Sequence, residues 1–161
     1  MEKFQELILI AKRKLKIADH MLNVSYKLVS DPKIMLSAAT SLYTAVESAM
    51  SAALEYERIF KKIPMYSDNF DSKYTIFSTK LNKLHEITKD DLKLVTELRE
   101  ISQAHKKSPV EFTRKDKFVI ASDDYDLKTL EVEDIKKYIS RAKFFINKME
   151  SIVNRNNGIF K

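Results

Sequence analysis

Three histidines, no cysteine and a scatter of carboxylates limit the chemistry open to this 161-residue sequence. His20, His85 and His105 stand apart, none within helical reach of another. HExxH is absent, and so are the paired Glu-x-x-His motifs of a di-iron bundle, so no metal site and no cofactor is expected. Ser102 and His105 are three residues apart, but no orienting acid or oxyanion hole accompanies them. Arg99 with His105 is the more useful set. An imidazole exchanges protons near neutral pH, and a guanidinium can stabilise the charge that builds on a phosphorane, so the two suit phosphodiester cleavage. Lys106 and Lys107 follow directly and would attract a polyanionic backbone. Six helical steps turn through about 600°, so on a straight helix the two side chains diverge. They converge only if the helix breaks near Gln103 or if a second subunit completes the site. The competing reading makes His105 a helix-end cation and places Arg99 in a surface ion pair.

The elements that must position these residues are helical. Phe4, Leu7, Ile8, Ala11, Leu15, Ala18, Leu22 and Leu28 recur at three- and four-residue steps, an amphipathic stripe. Ser30-Asp31-Pro32 ends that helix and starts the next, with Asp31 as its cap. The second helix, from Pro32 to about Lys62, is small or apolar nearly all round, as suits the centre of a bundle. Glu47 stands in its middle, either as a partly exposed residue or as a buried carboxylate needing a cation. A loop carrying Tyr66 and Phe70 follows, then a third helix from about Ser72 to Ile87 with Tyr74, Phe77, Leu81 and Leu84 inward. Thr88 and Asp91 have the spacing of a capping box for a fourth helix, which must stop before Pro109. Val110 to Ser122 alternates like a β-hairpin turning near Lys115-Asp116, and DDYDLKTL reads as an extended connector. The last helix carries Ile135, Ile139, Ala142, Phe145, Ile146, Met149 and Ile152.

The fold expected is therefore all-α: an antiparallel up-and-down bundle of about five helices with a β-hairpin inserted before the last one. Residues 1–155 form one domain, the hairpin insertion occupies about 109–122, and 156–161 is a frayed tail. A single glycine excludes the glycine-rich loops of dinucleotide and P-loop folds. No apolar run is long enough to span a membrane, and the charged N-terminus does not resemble a secretion signal, so a cytoplasmic protein is expected.

Net charge is +6. Residues 1–16 hold five bases against two acids, and residues 106–117 hold another five against two, so the rest of the chain is neutral overall. Lys106, Lys107, Arg114, Lys115 and Lys117 are accordingly candidate nucleic-acid contacts.

LYTAVESAMSAALEYE in the second helix, with Arg99-Glu-Ile-Ser-Gln-Ala-His105 later in the chain, resembles the signature of HEPN domains. These are small helical bundles with an Ala-Val-Glu core helix and an Arg, four to six residues, then His. The resemblance covers about residues 5–107 and the last helix. It implies a homodimer that brings two Arg/His pairs into one cleft, and RNA or a nucleotide as ligand. It implies metal-independent endoribonuclease chemistry in active members, with Arg99 and His105 catalytic and Glu47 their accompanying acid. It further implies a nucleotidyltransferase or antitoxin as partner protein where members act as toxins. Ser51, Ala52, Glu100 and Lys107 depart from residues common in the family at those places. The alternative is a non-catalytic helical protein-interaction module.

Overall fold

Alanine and serine at successive core positions let one long helix run through the middle of the molecule. In the computed structural model this is α3, Lys33–Ile59, with Ala38, Ala39, Ala45, Ala49, Ala52 and Ala53 all fully buried. Small side chains permit close approach, and α3 packs most extensively on α1 (Lys3–His20), then on α7 (Val132–Val153) and α6 (Lys89–Lys107). Ser41 seals the first of these contacts by donating from Oγ to the Lys14 carbonyl at 2.8 Å. The structure describes the backbone of residues 1–107, 110–114, 117–121 and 127–155, and the side chains of 1–104, 117–120 and 129–155.

Five helical rods make up the bundle among the described residues. The first is α1, continued through a π-helical turn, Met21–Ser25, into α2, Tyr26–Val29. The second is α3. The third is α4, Phe70–Ile76, continued through a π turn, Phe77–Leu81, into α5, Asn82–Leu84. The fourth and fifth are α6 and α7. The π turns explain two departures from the apolar pattern. Each turn holds about one residue more than an α-helical turn, which rotates the downstream residues by about 100°. Leu28, expected on the core stripe, is thus exposed, and so is Leu84.

Helix ends follow their local chemistry. Asp31 Oδ1 accepts from the Lys33 amide at 3.0 Å, and Asn69 Oδ1 accepts from the Ser72 amide at 2.8 Å. Thr88 and Asp91 form the expected capping box: the Thr88 amide donates to Asp91 Oδ2 at 2.9 Å, and the Asp91 amide donates to Thr88 Oγ1 at 3.1 Å. With no glycine at these helix ends, Ser30 and Lys61 take the left-handed conformation after α2 and α3, with φ of 56° and 58°.

The hairpin is present as β1, Val110–Arg114, and β2, Lys117–Ala121, paired antiparallel with Arg114 opposite Lys117. The segment read as an extended connector supplies a third strand, β3, Leu127–Leu130, which pairs antiparallel with β2. Phe118, Ile120 and Leu130 join the helical core, which is why the sheet docks on the bundle. No helix among the described residues is long and apolar enough to cross a membrane.

Candidate functional site

Four-residue spacing places Tyr43, Glu47, Ser51 and Glu55 along one face of α3. The chain that returns after α3 lies over this polar seam, and α6 closes its far end. Glu47 is the centre. Its Oε1 accepts from Ser51 Oγ at 3.1 Å and pairs with Lys73 Nζ at 3.3 Å. The side chain is 28% exposed, so Glu47 is partly exposed and also holds a cation. Lys73 Nζ reaches Asp68 at 3.0 Å as well. Burial alone would lower the Lys73 ammonium, but the hydrogen bond to Asp68 and the Glu47 charge outweigh it and hold the group above its ordinary value. The same contact with Lys73 lowers the Asp68 carboxyl.

Arg99 enters from α6. Its guanidinium carbon lies 4.1 Å from the centre of the Phe70 ring, a cation–π contact. Phe70 is the first residue of α4, and Tyr74, one turn later, stacks on it with ring centres 5.5 Å apart and planes 17° apart. Tyr43 tilts against the same Phe70 ring. Burial raises the Tyr43 phenol and the Glu47 charge raises it further, while the charge and hydrogen bond of Arg99 and the charge of Lys73 pull it down. Glu47 and Arg99, the two expected catalytic residues whose side chains are described, thus meet around Tyr43.

The Arg99 guanidinium is loosely paired at its outer edge. Nε is buried without a hydrogen-bond partner among the described residues. The ion pair to Asp71 Oδ1 is long, at 4.0 Å, and that carboxylate is 88% exposed. A long contact to a solvated carboxylate is weak and readily exchanged for another anion.

Farther along the seam, a groove of about 490 Å³ is lined by Lys3, Ser51, Glu55, Arg58, Tyr66 and Lys73. The Arg58 hydrogen bond lowers the Glu55 carboxyl. Burial, reinforced by the Glu55 charge, pushes the Tyr66 phenol up to about 12.

The remaining expected residues lie elsewhere. α6 continues through Gln103 to Lys107, so the break that would have folded His105 back toward Arg99 does not occur. Positions 99 and 105 are set about 120° apart around the helix axis. The side chains of His105, Lys106, Lys107, Arg114 and Lys115 lie outside the described residues. Lys117 pairs with Glu131 at 2.8 Å and lines a different groove, beside Tyr26, Ser30 and Glu133. Among the described residues no group of three or more side chains is arranged to hold a metal ion. Sequence reasoning missed Tyr43, Phe70 and Lys73. The four-residue rhythm from Tyr43 to Glu55 was the available signal for the seam, but Phe70 and Lys73 sit on the short α4, where no sequence signal points to α3.

No known family model matches this chain, and no curated protein matches it.

Proposed function

We propose that this chain is a HEPN-like helical domain that binds RNA, with Arg99 as its phosphate receptor. The observation that carries the reading is the state of Arg99. Phe70 fixes the plane of its guanidinium, and among the described residues Nη2 is ion-paired only through a long 4.0 Å contact to the solvated Asp71 carboxylate. A planar cation held in place with a loosely paired outer nitrogen suits the oxygens of a phosphate. Lys73 neutralises Glu47 and so limits the repulsion that a carboxylate would exert on that phosphate. The chain after Arg99 adds the lysine-rich stretch from Lys106 to Lys117.

Cleavage would go further. A general base takes the proton from the ribose 2′-hydroxyl, that oxygen attacks phosphorus, and a general acid protonates the departing 5′-oxygen. Arg99 would bear the charge on the phosphorane, and His105 would move the protons. Because α6 is unbroken, the two groups would come together across a homodimer, with His105 supplied by the partner subunit.

Equilibrium binding of labelled RNA in EDTA tests the first step. Wild type should bind with strong salt dependence, and Arg99→Ala should bind at least about tenfold more weakly. Prolonged incubation tests the second: cut RNA from wild type and intact RNA from His105→Ala would establish the nuclease. Absence of binding by wild type would sink the proposal. It would leave a protein-interaction module, a reading favoured by Phe144, which is 70% exposed on α7.

A further inference from the structure

Arg99 and Lys73 reach the seam with their charges already met by the chain itself. Arg99 Nη2 lies 4.0 Å from Asp71 Oδ1, and Lys73 Nζ lies 3.0 Å from Asp68 Oδ1 and 3.3 Å from Glu47 Oε1. Two cations thus face three carboxylates, so the ion-paired cluster has no excess of positive charge to attract a polyanion. The three acids are not alike. Glu47 is 28% exposed and also bonded to Ser51 Oγ, so it is held on α3. Asp68 and Asp71 are 90% and 88% exposed, and they flank Asn69, the cap of α4. Among the described residues each makes one ion pair, and in both cases the partner is a cation of the seam. The backbone between them is pinned. Asn69 Oδ1 accepts from the Ser72 amide at 2.8 Å, and Ser72 Oγ accepts from the Ser67 amide at 2.9 Å. The two carboxylates are thus tethered beside their cations, while their exposure lets the side chains turn into solvent.

We infer that Asp68 and Asp71 are internal anion mimics: in the free protein they stand on Lys73 and Arg99 where phosphate oxygens stand in the complex, and RNA enters by displacing them. The inference rests on the RNA-binding reading and adds to it a restraint on the same site. Once the two exposed acids swing away, Lys73 and Arg99 face Glu47 alone, and the cluster changes from one net negative charge to one net positive charge. The exchange is easy on the protein side, because ion pairs to solvated carboxylates are weak and the released acids regain full hydration. A phosphodiester offers two oxygens on one phosphorus, which the planar guanidinium can take together. The mimics also select against small anions. A free anion gains too little at one cation to displace a tethered acid, whereas a strand held at several positions does so through its combined contacts.

Equilibrium binding of labelled RNA to the full chain tests this with Asp68→Asn, Asp71→Asn and the double variant, which remove charge and keep shape. Each single variant should bind about threefold more tightly than wild type, and the double variant about tenfold. The double variant should also give a steeper plot of log affinity against log salt. In wild type the released carboxylates take up cations, which offsets the counterions that RNA sheds. Glu86→Gln with Asp90→Asn is the control. It removes the same charge from exposed positions at the start of α6, with Asp90 about 13 Å along the helix from Arg99, and should change affinity less than about twofold. Asp71 lies in the first turn of α4, where an acid favours the helix, whereas Asp68 precedes it. Asp68→Asn therefore carries the test if Asp71→Asn does not fold. Unchanged affinity and salt slope in the double variant would overturn the mimic inference and leave the phosphate reading standing. Weaker binding by the variants, or an equal gain in the control, would do the same. Failure of wild type to bind RNA would overturn the reading and the inference together.

Discussion

Glu47 and Glu57 lie ten residues apart on the same helix and have opposite surroundings. Glu47 keeps part of its carboxylate in solvent, beside a lysine and a serine, in a seam closed by an arginine whose Nε is unpartnered among the described residues. Glu57 is 0% exposed. Its Oε1 meets His85 Nε2 at 2.8 Å and lies 3.9 Å from an Arg155 guanidinium nitrogen, while Oε2 has no partner among the described residues. His85 immediately follows α5, so this contact ties the third rod to α3. A second tie lies close by in sequence. Lys148 of α7 pairs with Asp91 at 2.7 Å and also donates to the Glu86 carbonyl. One end of α3 thus has polar groups that hold rods together, and the seam around Glu47 has polar groups left available. Burial separates the two: a desolvated carboxylate with fixed partners is costly to disturb, whereas a hydrated one can change partners.

The largest effect should come from the buried residue. Glu57→Ala leaves His85 without its partner and opens a cavity, and should cost about 3 kcal/mol in urea unfolding. Glu47→Ala should cost less than about 1 kcal/mol in the same assay. Equal losses would break the contrast. Next in size is the binding effect at Arg99. Arg99→Lys keeps the charge but loses the planar fork, and should recover only part of the RNA affinity that Arg99→Ala removes. Full recovery would show that charge alone acts there. Smaller again, reversal of Lys106 and Lys107 to Glu should flatten the plot of log affinity against log salt by about two. Lys117→Glu should change it less, because Glu131 already holds that charge.

A last prediction concerns alkaline pH. Tyr66 and Tyr138 are held up at about 12 in the fold, Tyr66 by burial and Glu55, Tyr138 by burial and Glu97. An unfolded phenol ionises near pH ~10. The folded state therefore binds these protons more tightly. The stability they contribute is complete below about pH 10 and is lost as pH rises toward about 12. Phenolate absorbance in the near ultraviolet should show a late-titrating class, and the double variant Tyr66→Phe, Tyr138→Phe should shrink it.

Much of the bundle was legible in the sequence because its signals are local. The apolar stripe of α7, the Thr88–Asp91 box and the alternation around Phe118 each follow from neighbours a few residues away. β3 was not legible. Its four residues become a strand only because β2 offers an edge, which is a tertiary fact. The site divides the same way. Arg99 and Glu47 were legible as residue types at meaningful spacings. Lys73, Phe70 and Tyr43 were not, because they become neighbours only when the loop after α3 folds back across it.

The two π turns set the rotational phase of the helices they interrupt. Each carries a surplus residue inside an otherwise regular helix. Removing one residue from Phe77–Leu81 would let that rod close into an uninterrupted α-helix, with Phe70 and Tyr74 untouched upstream. Everything downstream would rotate by about 100° in the opposite sense. His85 would swing off Glu57, and the rod would lose its anchor to α3. The surplus residue therefore acts as a phase adjuster, letting one rod present the stacked Phe70 and Tyr74 at one end and His85 at the other.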